Sequence, residues 1–124
     1  MPAKRVLSVG QCMADHGSIA RTLRQHFQAE VVPADRAEEA LSLAAEEPFD
    51  LVLVNRVLDA DGSSGIEVVR RFKESEALCS VPVMLVSNYD DAQEEAVRQG
   101  ALPGFGKAAL GQPHTLSRLK AVLG

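Results

Sequence analysis

The run Leu51-Val52-Leu53-Val54 sets four branched apolar residues side by side with nothing polar between them. A strand with one wet face alternates apolar and polar side chains, so this run predicts a strand covered on both faces. Such strands belong to parallel sheets, whose crossover connections need helices. The chain supplies them, because short apolar runs alternate with amphipathic stretches from end to end. With 124 residues, four Phe, one Tyr and no Trp, the expected core is aliphatic and belongs to one domain, residues 1–124.

Five strand–helix units can be traced. Val6 to Val9, closed by Gly10, reads as the first strand, and Ser18 as the cap of a helix whose Ile19, Leu23 and Phe27 share one face. A weak second strand spans Glu30 to Val32 and ends at Pro33. Asp35 is the expected cap of a second helix with Ala37, Ala40, Leu41 and Ala44 inward, stopped by Pro48. Phe49 introduces the third strand, which meets water at Asn55. Ser64 and Glu67 form an S-x-x-E capping pattern ahead of Val68, Val69 and Phe72. Val81 to Val86 is the fourth strand, with Pro82 near its start, and Ser87 ends it. Asn88, Asp90 and Asp91 head a fourth helix that Arg98 and Gly100 close. A short fifth strand around Phe105 precedes a last helix opened by Pro113, with Leu116, Leu119 and Leu123 inward. The sum is an α/β, doubly wound, five-stranded parallel sheet, (βα)5, in which function sits at the carboxyl ends of the strands.

Charge narrows the function classes. Seventeen acidic against thirteen basic residues give a formal charge of −4, and no segment gathers enough Lys and Arg to track a phosphate backbone. Arg70, Arg71 and Lys73 read as the solvated face of a helix. No apolar run reaches the length of a membrane span, and Met1 to Arg5 lacks the apolar segment of a signal peptide. Cys12 and Cys79 form no CxxC pair, which suits a reducing, cytoplasmic compartment.

Four passages then carry a resemblance: FDLVLVN followed by a loop and GIEVVRRFK, then VPVMLVS, then GALPGFGK, and finally the amphipathic HTLSRLKAVLG. In order and spacing the chain resembles the receiver domain of two-component response regulators over essentially its whole length. The resemblance implies a flavodoxin-like fold with helices on both faces and a role in phosphorelay signalling. It also implies that the reactive centre is degenerate. The family's phosphoacceptor Asp falls on Asn55, a poor nucleophile, and its metal-binding pair of acids falls on Gly10 and Gln11. Ser87 and Lys107 match the family's hydroxyl residue and lysine, with Lys107 expected to bond the Asn55 oxygen or loop carbonyls. The family's Pro after the lysine is Ala108, so no cis peptide is expected there. The switch aromatic falls on Gly104, with Phe105 one place later and expected in the core.

Other chemistry fares worse. Asp15, Asp59 and Asp61 could gather near the old pocket, but D-A-D-G lacks the rest of a calcium loop. Cys12 has Ser18 where a C-x5-R phosphatase needs Arg, and His16 is a lone loop histidine. The expectation is therefore a non-enzymatic, non-phosphorylatable receiver without cofactor or metal, acting as an interaction module for another signalling protein, itself a monomer or weak homodimer. By analogy the partner face draws on Asp91, Glu94, Glu95, Arg98, Leu102, Leu110 and Lys120. The alternative is a sensor whose emptied pocket around Gly10, Asn55 and Ser87 holds another ligand or ion.

Overall fold

The computed structural model describes residues 3–124. Its elements run β1 (Arg5–Val9), α1 (Met13–Phe27), β2 (Glu30–Ala34), α2 (Ala37–Glu46), β3 (Leu51–Asn55) and α3 (Gly65–Glu74). They continue with β4 (Val83–Val86), α4 (Asp90–Arg98), β5 (Leu102–Phe105), a 3-10 turn over Lys107–Ala109, and α5 (Pro113–Leu123). The strands form one parallel sheet in the order β2-β1-β3-β4-β5, so the doubly wound expectation is met. Strand β3 is central in this order, and every one of its residues is buried.

Strand alternation assigns the two cores. Leu7, Val9, Val52, Val54, Val83 and Leu85 pack with Ala40, Val68, Val69, Phe72 and Ala96 of α2, α3 and α4. On the other face Val6, Leu51, Leu53, Met84, Val86 and Phe105 pack with Ile19, Leu23, Leu119 and Leu123 of α1 and α5. Phe105 is thus a core residue, as expected. Burying side chains of this size stabilises by about 1.5–3 kcal/mol each.

Several boundaries differ from the sequence expectation, each for a local reason. Helix α1 starts well before Ser18; its N-cap is Cys12, whose Sγ accepts from Asp15 N at 3.5 Å. Strand β2 runs through Pro33 to Ala34, which an edge strand tolerates because Pro33 needs no partner on its open side. Helix α2 is capped by the backbone of Arg36, while Asp35 N donates to the Glu39 carboxylate at 2.7 Å. Strand β4 begins after Pro82, at Val83. Ser64 does cap α3, accepting from Glu67 N at 3.4 Å, but the Glu67 carboxylate turns to Arg70 instead of completing the box. In α5 the inward residues are Thr115, Leu119 and Leu123, and Leu116 is only half-buried.

Candidate functional site

The carboxyl ends of β1, β3 and β4 and the turn after β5 converge at one end of the sheet. Asn55 closes β3 at 9% exposure, and its Nδ2 donates to Gly10 O at 3.1 Å and to Val57 O at 2.8 Å. Gly10 O also accepts from Asp59 N at 2.9 Å, so the β3–α3 loop is stitched onto the end of β1. The loop itself is a tight excursion: Val57 bridges Ser64, Leu58 N donates to Ser63 O at 2.9 Å, and Gly62 N donates to Leu58 O at 2.8 Å.

Gly10 is where this stitching requires glycine. Its φ is +74°, and a Cβ there would lie 2.4 Å from Leu58 Cγ and 2.9 Å from Leu58 Cα. Leu58 is fully buried, so the space beside Gly10 is already filled with hydrocarbon. Gln11 is 8% exposed, and neither its amide oxygen nor its nitrogen has a hydrogen-bond partner among the described residues.

Ser87 and Lys107 frame the other side. Ser87 Oγ accepts from Tyr89 N at 3.1 Å and so shapes the turn into α4. Lys107 Nζ bonds neither the Asn55 oxygen nor a loop carbonyl, the partners expected for it; it lies 2.7 Å from Asp15 Oδ2 on α1. That ammonium, with help from Cys12, holds the Asp15 carboxyl below the usual aspartate range against a smaller opposing effect of burial. Asn88 Oδ1 accepts from Ala108 N at 3.2 Å, which ties the β4–α4 turn to the turn after β5. The peptides are all trans among the described residues, including the one before Ala108. Asn55, Arg56, Val57, Ser87, Asn88, Tyr89 and Lys107 line a small open cleft of about 270 Å³.

The acidic candidates do not meet. Asp61 accepts from Ser63 N at 3.0 Å and Ser63 Oγ at 2.6 Å, bonds that hold its carboxyl below the usual range, and it faces Arg36 at 4.0 Å. Among the described residues no three His, Cys, Asp or Glu side chains come close enough to hold a metal ion. The basic run is spent on ion pairs and carbonyls. Arg70 pairs with Glu67 and Glu74, Arg71 with Glu38 at 3.2 Å, and Lys73 Nζ donates to Cys79 O and Val81 O at 3.1 and 2.8 Å.

Comparison with known proteins places this arrangement. The polar-differentiation response regulator DivK of Brucella ovis is 32% identical over 87 residues, which is 69% of this chain and 69% of DivK. DivK of Brucella anthropi is 31% identical over the same length. The chain belongs to the response-regulator receiver family. Solved receivers share its fold: a putative response regulator from Chloroflexus aurantiacus superposes with a TM-score of 0.86 at 19% identity, covering 98% of both chains. The chemotaxis response regulator CheY4 of Vibrio cholerae gives 0.75 at 21% identity, covering 98% of this chain and 100% of that one. No family model matches the chain. Its role is accordingly that of a receiver in two-component signal transduction, and no helix among the described residues is long and apolar enough to cross a membrane.

On this receiver four of the seven residues named for partner contact line three different clefts. Asp91 and Glu95 line a cleft of about 630 Å³ between α4 and the β3–α3 loop, with Arg56 stacked on the exposed Tyr89 ring at 4.8 Å. Glu94 lines a groove of about 380 Å³ between α4, β5 and α5. Lys120 lies at the α1–α5 cleft beside Phe27 and Leu116. Arg98 pairs with Glu95 at 2.6 Å, Leu102 is exposed, and Leu110 packs half-buried on the α1–α5 core. The sequence reading missed Leu58, an apolar residue inside an otherwise polar loop, and Gln93 of α4.

Proposed function

We propose that this receiver does not accept a phosphoryl group and acts instead as a fixed interaction module in two-component signalling. The observation that carries the proposal is the Asn55 carboxamide, whose N–H groups face Gly10 O and Val57 O. An aspartate there would set negative oxygen against two carbonyls; the amide suits the closed loop, and a nucleophilic carboxylate does not. The Mg²⁺ that receivers use also fits poorly. Mg²⁺ needs charged or carbonyl oxygens at near-octahedral positions. Gly10 offers no side chain and Leu58 occupies its flank. Gln11 offers an amide, and the Asp15 carboxylate is held by Lys107. The same filling weighs against an emptied pocket that senses another ion, since the wall beside Gly10 is closed. Cys12 Sγ serves as a helix cap, and Ser18 stands at the position where C-x5-R chemistry needs its phosphate-binding arginine.

The test is incubation with acetyl phosphate, and separately with beryllofluoride, in the presence of Mg²⁺. The expected result is no added mass and an unchanged amide spectrum. A phosphoryl adduct, or saturable Mg²⁺ binding at micromolar concentration, overturns the proposal.

A further inference from the structure

Strand β5 and helix α4 are joined through one side chain. Between the rungs Met84↔Leu102 and Val86↔Phe105 the β4–β5 pairing is irregular, and Leu85 alone stands opposite both Pro103 and Gly104. An extra residue in one strand interrupts the ladder. Gln93 bridges this interruption. Its Nε2 donates to Leu85 O at 2.9 Å, and its Oε1 accepts from Gly104 N at 3.1 Å. A carboxamide has the donor and acceptor of a peptide group, so Gln93 supplies from α4 the rung that the bulge removes. Nε2 also lies 3.1 Å from Ser87 O and 3.4 Å from Phe105 O. Three carbonyls on one side and an N–H on the other allow only this orientation of the amide.

The space confirms the fit. A Cβ at Gly104 would lie 2.1 Å from Leu85 O and 2.9 Å from Gln93 Oε1, so any side chain at 104 is incompatible with the bridged arrangement. Arg118 of α5 donates to Gly104 O, which fixes the same residue from the other helix.

We propose that Gln93 is a positioning residue that patches the β5 bulge and latches α4 to β4 and β5, holding the groove between α4, β5 and α5 in one shape. Because the same carboxamide touches Ser87 O, the wall of the small cleft, the end of β4, α4 and β5 are held as a unit. The importance of the latch for signalling rests on the proposed interaction role; its existence does not.

Amide exchange by NMR tests it. In the wild type the Gln93 side-chain N–H protons and the Gly104 N–H should exchange slowly, and a coupling across the hydrogen bond should link Gly104 N to the Gln93 carboxamide carbon. Gln93→Leu keeps the bulk and removes the polar atoms. In that variant Gly104 N–H should exchange at least about ten-fold faster, while Leu7 and Leu53 in β1 and β3 keep their rates. Unchanged Gly104 protection in the variant overturns the latch. So does a loss of protection spread evenly over β1 and β3, and so does fast exchange of the Gln93 carboxamide in the wild type, which is measurable whether or not the variant folds. Phosphorylation of the wild type would sink the functional reading and leave the Gly104 and Gln93 exchange result standing.

Discussion

A single carboxamide at Asn55 decides more of the chemistry than any other group. Replacing it by aspartate removes two donors and faces Gly10 O and Val57 O with an acid. Lys107 is already engaged by Asp15. Asn55→Asp should therefore destabilise by about 1–3 kcal/mol at neutral pH. The pH dependence has a definite sign. The new carboxyl is raised above its unfolded value, near 3.9, so the loss is small below that pH, grows as pH rises through it, and is complete above the folded pKa. Urea unfolding of both proteins at pH 3.5 and pH 7 checks this, and an equal loss at both pH values counts against it. The Asp15–Lys107 pair works the opposite way. Asp15 is depressed, so its contribution is present above the unfolded pKa and fades as pH falls through the folded one. Both side chains are about a third exposed, at 32% and 38%, so Lys107→Ala should cost no more than about 1 kcal/mol, and less in high salt.

At the scale of elements, the β3–α3 loop behaves as part of the core because Leu58 plugs the space beside Gly10. Gly10→Ala meets both a left-handed backbone and the Leu58 side chain, and should destabilise by about 2–4 kcal/mol. Leu58→Ala alone should cost about 2–5 kcal/mol, and the double variant less than the sum, because the cavity left by one change receives the methyl of the other. Denaturant titrations of the four proteins give the coupling; strict additivity would mean the two residues do not share that space. These elements also show what was legible in the sequence. The order of all five units follows from apolar runs and helix periodicity, since burial on a regular element leaves a period. Leu58 leaves none, because a loop has no repeat against which one leucine stands out. Cys12 was hidden as a cap because sulfur is a weak acceptor and Gly17 makes the first turn of α1 look like loop. Gln93 was hidden because a glutamine on an amphipathic helix reads as solvent-facing; only the irregular β4–β5 pairing reveals its partners. The Gly10, Asn55 and Ser87 positions were legible because strand ends are marked by where apolar runs stop. The pairing of Lys107 with Asp15 was not, since it depends on how α1 and the turn after β5 lie in space.

For the whole molecule, the two outer strands carry the most general consequence. Both β2 and β5 lie at the borders of the sheet, and each contains a proline, Pro33 and Pro103. A border strand is a template on which another chain can add, and a proline withholds one of the donors that such growth requires. The pleat turns Glu30 N toward β1, where it donates to Lys4 O, so by alternation the nitrogen of Pro33 faces outward. Pro33→Val would restore an outward N–H beside the branched Val31 and Val32 without disturbing the inner ladder. Light scattering at rising concentration should show the wild type remaining monodisperse and Pro33→Val forming larger, thioflavin-positive species; equal behaviour of the two would sink the argument. With a proline in each border strand, both open margins of the sheet are poor templates for the addition of a further strand.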